Sequence, residues 1–438
     1  MMQVLKGFSK LSKSEKIELL RRAIPLNDLQ ISLLKSFNDR INDSETIIEN
    51  LSENYISNYV LPFSIAPNFR INDRWYFVPM VTEESSVVAA AAYAAKFWCG
   101  AGGFKTEIIG TKKNGQIYFS WNGNIEDLQS LFPLLKKKLM LCVKHLTSGM
   151  EKRGGGISGI ELNKENKRER DYYIVDVEFE TADSMGANLI NSCLEVMATE
   201  LTSFIKDNFG EKESEAEILM AILSNLTPDC LVESVVECNI SELTQISGNL
   251  SPEQFAARFS KAVRIAHENI SRAVTHNKGI FNGIDAVLLA TGNDFRAVEA
   301  CGHAYAARNG KYTALTDIEI SDNRFRYKLR IPLALGTVGG STSVHPMARL
   351  ALQIMQNPSS GDLMQIVASV GLASNFAAIR SLITDGIQKG HMRLHLTNIL
   401  ANYKVTEAEK KSVEEFFKDK AYSHNAICDY LSGIRETK

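Results

Sequence analysis

Arg272-Ala-Val-Thr-His276-Asn277-Lys278-Gly279-Ile-Phe-Asn282-Gly283-Ile-Asp285 decides how this chain is read, and a short apolar run joins it to Ala290-Thr-Gly292-Asn293-Asp294. The stretch crowds Arg, His, Lys, Asn and Asp around glycines. Just upstream, Ser251-Pro252-Glu253-Gln254 combines a capping Ser, a Pro at the first helical position and a Gln three residues on, so a long helix starts there. Phe255, Phe259, Ala262, Val263, Ala266, Ile270 and Ala273 recur at helical spacing and predict its buried stripe, which ends at the quoted motif. Lys278 then stands just after a helix, where Gly279 permits an unusual turn and close ligand approach. A Lys at a helix end is also an ordinary solvated cation near the dipole. Asp294 precedes a helix containing Ala297 to Tyr305, and its plain role is to cap that helix. If it reaches Lys278 instead, the carboxylate holds the ammonium charged and oriented, a preorganised donor for an oxyanion.

With 438 residues, 45% hydrophobic and 23% charged, the chain can form two or three domains around a substantial core. Its 49 basic and 51 acidic residues leave a formal charge of -2, so no global field favours nucleic acid or an anionic membrane. An anionic ligand must be held by local groups. The seven cysteines are scattered, odd in number and never spaced Cys-x-x-Cys, which argues against a disulfide framework or a zinc site. Met1 to Arg22 lacks the apolar region of a leader, and no segment approaches the roughly 20 apolar residues that span a bilayer. The expectation is a reduced, soluble, cytoplasmic protein.

Residues 1 to about 58 suggest small amphipathic helices, with Leu19, Leu20, Ile24, Leu29, Leu33 and Leu34 irregularly spaced. Leu61 to Met80 suits two strands around the Asn72-Asp73 turn, delivering the chain to Glu83 and Glu84. Ser85 to Cys99 is a Val- and Ala-dominated helix ended by Gly100, Gly102 and Gly103. From about Lys105 to Glu217 strands and helices alternate, including strand Tyr173 to Glu180 and helix Leu189 to Phe204, which predicts an inserted α+β domain. Thr406-Glu-Ala-Glu409 is a second capping box that opens a short helix with Phe416 and Phe417, and the last 60 residues read as a small helical unit.

Several groups admit two readings. Glu83 and Glu84 point in different directions; both suit a first helical turn, and one, buried between strand and helix, can serve as a proton donor. His391 and His395 in Gly390-His-Met-Arg-Leu-His395 have a spacing that binds metal on a helix, that suits a structural or surface pair, or that supplies an acid-base His. His276 and His303 read as structural. Asp183-Ser-Met-Gly186-Ala-Asn188 is a strand-helix turn whose free amides can also receive a phosphate. Gly154-Gly-Gly156 says only loop, and Gly336-Thr-Val-Gly339-Gly340-Ser341-Thr342 is a turn or a backbone platform.

Together, Pro79-Met-Val-Thr-Glu-Glu84, Asp183-Ser-Met-Gly-Ala-Asn188, Thr275-His-Asn-Lys-Gly279, Thr291-Gly-Asn-Asp294, Gly336-Thr-Val-Gly-Gly340 and Gly390-His-Met392 resemble, in order and spacing, the hydroxymethylglutaryl-coenzyme A reductases. The likeness is strongest to the shorter bacterial class II members and covers most of the chain from about Glu53. It implies an α+β fold: a large α-rich substrate-binding domain (1–108 and 219–375) interrupted by a small α+β, ferredoxin-like cofactor domain (109–218), with a C-terminal helical flap (376–438). It implies that Glu84 is the catalytic glutamate, Lys278 the oxyanion-stabilising lysine, Asp294 its carboxylate partner, and His391 the histidine that protonates departing coenzyme A thiolate. Arg272, Ser86 and Asn282 match positions that hold the hydroxymethylglutaryl group; Asp183, Ser184, Met185, Gly186, Ala187 and Asn188 match the dinucleotide-binding turn.

The reaction implied is a four-electron reduction of hydroxymethylglutaryl-CoA to mevalonate and free coenzyme A, with no metal, in a homodimer whose active site forms across the interface and which can assemble further. NADPH is favoured over NADH, because members favouring NAD carry an Asp where this chain reads Lys144-His145-Leu146-Thr147. The chain departs from the family at Tyr55, Ser57, Asn58, Ser64, Ser85 and Ser184, none of them a catalytic group. A rival reading is a non-catalytic coenzyme A or nucleotide-binding protein that keeps the fold, and it predicts a missing catalytic group. A thiolase- or lyase-like enzyme would need a nucleophilic Cys beside His or a metal-ligand set, and Cys301-Gly302-His303 is the one candidate.

Overall fold

The computed structural model describes residues 48–163, 172–210, 215–384, 405–417 and 424–436, with a few single positions outside these runs. Phe63–Ile71 (β1) and Arg74–Val81 (β2) pair antiparallel about Asn72 and Asp73. Both turn residues take positive φ, 46° and 67°, as a two-residue hairpin that follows the strand twist requires. The chain then enters α1 (Ser85–Gly100), whose small side chains let it sink into the core with its own Trp98 fully buried. After β3 (Lys105–Ile108) it leaves the large unit.

The insertion runs β4 (Lys112–Trp121), α2 (Ile125–Cys142), α3 (Lys144–Glu151), β5 (Gly156–Asn163), β6 (Tyr173–Glu180), α4 (Ala187–Asn208) and β7 (Ala216–Ser224). Its sheet is antiparallel in the order β5-β6-β4-β7, the arrangement of a ferredoxin-like βαββαβ unit. Burial alternates residue by residue along β4, so one sheet face packs Ile117, Phe119, Val175 and Val177 against Leu194 and Leu201 of α4. Because β7 runs through to Ser224, the domain boundary expected at 218/219 falls inside a strand and the small unit ends later.

The chain returns as β8 (Leu231–Asn239), which pairs with β3, the strand it left from. The junction is stitched: the Ile109 and Gly110 amides donate to the Leu231 carbonyl at 2.8 and 3.2 Å, and the Leu231 amide donates back to Gly110 at 2.9 Å. After a 3-10 turn (Ile240–Gln245) come α5 (Pro252–Glu268), α6 (Ile270–Thr291), α7 (Phe295–Ala306), β9 (Thr316–Ser321) and β10 (Arg324–Pro332). These strands complete an antiparallel sheet β3-β8-β10-β9. Then follow α8 (Gly340–Val344), α9 (Pro346–Ile354), α10 (Ser360–Ile383), α11 (Glu407–Phe416) and α12 (His424–Glu436). Helix α10 is long and apolar enough to cross a membrane, yet most of its residues are buried in the large core with Trp98, Phe259 and Phe325. Phe376 and Ile379 lie in that core, so the flap boundary expected at 375/376 cuts a core helix. Leu400, Val413, Phe417, Ile427 and Leu431 form a separate small core.

Two expectations about the quoted motif are corrected. The single long helix breaks at Asn269, whose backbone is extended and whose side chain accepts the Arg272 amide at 2.9 Å, capping a new helix. Lys278-Gly279 therefore lies inside α6 and not in a turn. Gly283 serves packing: a Cβ there would lie 2.3 Å from Ser374 Oγ and 2.8 Å from the Val370 carbonyl of α10, whereas at Gly279 the nearest atom is 3.5 Å away.

Beneath α6 lies a buried polar network. His276, 1% exposed, bonds Thr316 Oγ1 through Nε2 at 2.6 Å. The Tyr327 hydroxyl lies 2.9 Å from the same Thr316 oxygen and donates to Asn375 Oδ1, and Asn375 Nδ2 donates to the His276 carbonyl at 2.8 Å. Burial pushes the His276 imidazole from 6.5 down to about 3, with Arg272 and His267 adding to the shift. The fold thus holds His276 neutral while the unfolded chain protonates it.

Two outcomes are expected. Gly283→Ala destabilises the protein by about 1–3 kcal/mol through overpacking, while Gly279→Ala is neutral or stabilising, as read from urea unfolding; equal effects would contradict the packing account. Between pH 6.5 and about 3 the unfolded chain binds one proton more at this site, so stability falls with pH across that window. The stability gap between wild type and His276→Gln should accordingly narrow, by about 1.4 kcal/mol per unit at most, as pH falls below 6.5. A pH-independent gap would refute it.

Candidate active site

Glu84 occupies the position that would cap α1, with extended backbone (φ -102°, ψ 110°), but its side chain makes no cap bond. The carboxylate is turned elsewhere: Oε1 accepts the Ser86 hydroxyl at 2.5 Å and Oε2 lies 3.8 Å from Lys278 Nζ. Glu83 is exposed and bonds Thr82 Oγ1 at 3.4 Å, so of the two adjacent acids Glu84 is the one that meets the lysine. With side-chain exposures of 64% for Lys278 and 36% for Glu84, this pair contributes less than about 1 kcal/mol to stability. Its placement is therefore not explained by the needs of folding.

Asn282 follows Lys278 by one helical turn and shares its face. Arg272 leaves the first turn of α6 and stands off that stripe; it is half-buried, burial lowers its pKa, and its charge is felt at Tyr327 and His276. The expected clasp between Lys278 and Asp294 is not formed within the chain. Asp294 caps α7, its Oδ1 accepting the Arg296 and Ala297 amides at 3.1 Å each and lying 3.3 Å from Arg296 Nε. The capping reading wins here because two orphan helix amides and a guanidinium converge on one oxygen.

A second constellation gathers around the turn after β6. The Asp183 carbonyl accepts the Thr337 amide at 2.9 Å, and its Oδ1 accepts the Ser360 amide at the start of α10, also at 2.9 Å. Ser184 bridges to Val338 in parallel register. Gly336 approaches so closely that a Cβ would lie 2.5 Å from the Met185 amide nitrogen, and its own amide donates to Asn293 Oδ1 at 2.9 Å. Three segments far apart in sequence, 183–188, 293–294 and 336–340, thus converge.

Gly186 takes φ 83° at the head of the 22-residue helix α4 and offers no side-chain cap. The first amides of α4 are left for an outside acceptor, Asn188 is exposed beside them, and the space around Gly339 and Gly340 is open. Such a helix start can receive a phosphate; the residues around it are Asp183, Ser184, Met185, Gly186, Ala187 and Asn188, those expected from the sequence to form the dinucleotide-binding turn. His391, Met392 and His395 lie outside the described residues. Among the described residues no three His, Cys, Asp or Glu side chains gather to hold a metal. Sequence reasoning missed Lys113, whose ammonium lies under this turn, and Ser360, which anchors Asp183; a Lys on a strand and a Ser at a helix start carry no signal of either.

The chain is similar to known proteins along most of its length. The family model for hydroxymethylglutaryl-coenzyme A reductase matches residues 14–396. A Borreliella burgdorferi protein described as a probable 3-hydroxy-3-methylglutaryl-coenzyme A reductase is 36% identical over 99% of this chain and 98% of its own length. The Archaeoglobus fulgidus 3-hydroxy-3-methylglutaryl-coenzyme A reductase is 34% identical over 90% of this chain and 86% of its own. The fold is similar to that of the class II 3-hydroxy-3-methylglutaryl-CoA reductase of Streptococcus pneumoniae, solved bound to NADPH in open conformations, with a TM-score of 0.72 and 35% identity over 86% of this chain and 99% of that one. On the match along residues 14–396 and these near-complete alignments, the chain belongs to the hydroxymethylglutaryl-coenzyme A reductase family.

Proposed function

We propose that this protein reduces (S)-3-hydroxy-3-methylglutaryl-CoA to mevalonate and free coenzyme A in the mevalonate pathway, using two molecules of NADPH. The observation that carries the reading is the Glu84 carboxylate facing the Lys278 ammonium at 3.8 Å with Ser86 on its other oxygen, in a chain of this family. Bound at the Asp183 to Asn188 turn, the dinucleotide supplies a hydride in each of the two reductive steps. Lys278 stabilises the negative charge that develops on the substrate oxygen in both. Glu84, paired to Lys278 and bonded by Ser86, delivers the proton that completes alcohol formation. Arg272 and Asn282 hold the hydroxymethylglutaryl group, the Arg through its two-pronged fit to a carboxylate. His391 protonates the departing thiolate from a C-terminal flap, and the separate core of Leu400, Val413, Phe417, Ile427 and Leu431 supports such a unit.

The working form in this proposal is a homodimer. What supports it is that one chain leaves Lys278 without Asp294, while among the described residues the Asp294 hydrogen bonds and ion pair fall on Oδ1, so Oδ2 could meet the lysine of a second copy. A cytoplasmic location is in keeping with the long apolar helix α10 lying in the core. For NADPH over NADH, the supporting feature is Lys144 and His145 at the start of α3, although Lys144 is tied to Glu151 and must leave it to meet a phosphate. The non-catalytic alternative is not favoured, since Glu84 and Lys278 are both present and meet.

Purified protein mixed with hydroxymethylglutaryl-CoA and NADPH should consume the dinucleotide and release free thiol, faster than with NADH. Lys278→Met should lower kcat by about 100- to 1000-fold, the scale of one lost oxyanion donor; wild-type turnover in that variant would end the assignment. Lys278→Ala and Asp294→Asn, each inactive alone, should recover up to about a quarter of wild-type activity when refolded together, since half of random dimers are mixed and carry one intact site of two. No recovery in verified mixed dimers would place both groups on one chain.

A further inference from the structure

Lys113 is 5% exposed, one of the few charged side chains buried among the described residues. The alternation along β4 turns it inward, under the turn that follows β6. Its ammonium donates to the Ser184 carbonyl at 2.8 Å and to Thr181 Oγ1. Neither acceptor is a carboxylate, so the cation is met by neutral oxygens of the turn. A buried cation in such surroundings is costly and persists only where its bonds are needed or its charge is answered. Burial lowers the pKa of Lys113, opposed by nearby Cys230, Glu180 and Asp183.

The turn itself is under constraint. Ala182, a residue with a Cβ, sits at φ 49°, a conformation that costs energy unless its surroundings hold it. A Cβ on Gly186 would lie 2.5 Å from Thr181 Cγ2. The Ser184 carbonyl takes a second donor, Thr181 Oγ1 at 2.5 Å, and Ser184 Oγ accepts the Gly186 amide at 3.0 Å. Lys113 thus ties the two ends of the strained segment, Thr181 and Ser184, to the rigid strand β4, two residues before Gly186 frees the first amides of α4.

We propose that Lys113 is a positioning residue for the dinucleotide: it fixes the Thr181 to Gly186 turn so that the α4 amides are preset for the pyrophosphate, and so governs dinucleotide affinity and not the chemical step. The inference rests on the reading of this turn as the cofactor site. In this proposal the buried ammonium acts through the turn, by its bonds to Thr181 and Ser184.

The test uses the full-length protein and three variants, Lys113→Met, Lys113→Arg and the turn control Gly186→Val. NADPH binding is followed by its own fluorescence, hydroxymethylglutaryl-CoA binding by calorimetry, and amide exchange in the peptide spanning 181–188 on the cofactor-free protein. Lys113→Met should speed exchange in that peptide and weaken NADPH binding about tenfold, the scale of one charge-assisted hydrogen bond. Its melting temperature, hydroxymethylglutaryl-CoA affinity and kcat at saturating NADPH should stay as in wild type, and Lys113→Arg should restore part of the loss. If Lys113→Met binds NADPH like wild type while Gly186→Val does not, the role of Lys113 is overturned and the cofactor turn stands. If Gly186→Val also binds normally, the turn is not the cofactor site and both readings fall. A Lys113→Met protein that loses both ligands and melts early shows a general structural role, which also overturns the proposal.

Discussion

The close crossing of α6 and α10 is the constraint on which the candidate site depends. Gly283 against Ser374, and Gly371 against Ile284, leave no room for a Cβ, so the two backbones approach until atoms of one helix fill the gaps of the other. Asn375 then bonds the His276 carbonyl, and Asn277 is pinned from the opposite side by Tyr312, Thr313 and Leu315. A helix locked on two sides cannot rotate. Turning α6 by one residue, about 100°, would bury the lysine and expose an asparagine. Lys278 therefore owes its direction to neighbours on the far side of its helix.

How much of this was legible varies with the range of the interaction. The Asn72-Asp73 hairpin and the capping boxes at Ser251 and Thr406 can be read because every group that makes them lies within a few residues. The break at Asn269 is hidden: Ala266, Ile270 and Ala273 carry the apolar stripe straight across it, and only the side-chain cap at Asn269 marks the restart. Gly279 misleads, since glycine beside a presented lysine suggests a turn until α6 is seen to run through it. The Glu84 to Lys278 approach joins residues almost two hundred positions apart, and no local pattern separates Glu84 from Glu83. The resemblance to a family supplied that choice; the hairpin and α1 supply its physical reason.

The Thr291-Gly-Asn-Asp294 segment shows why such motifs are dense in information. Gly292 ends α6 in the left-handed region, Asn293 ties the Gly336 loop through its side chain, and Asp294 begins α7. Each residue has a separate geometric duty within four positions. The loop it holds lies directly on the Asp183 to Gly186 turn, so the end of the helix that presents Lys278 also shapes the floor of the proposed dinucleotide site. In the proposed function, substrate and cofactor binding would share this one scaffold.

The small unit departs from β3 and returns on β8, two strands that are hydrogen-bonded neighbours in the large sheet. Its entry and exit are thus a hairpin's width apart, and the large sheet closes on itself across the gap. The ferredoxin-like unit is joined to the large sheet through two adjacent strand ends, and it is tied to the large unit again at the 183–186 turn, where Thr337 and Ser360 hold Asp183. A change of length inside the insert that spares those two ends and that turn therefore leaves the pairing of the large sheet in register.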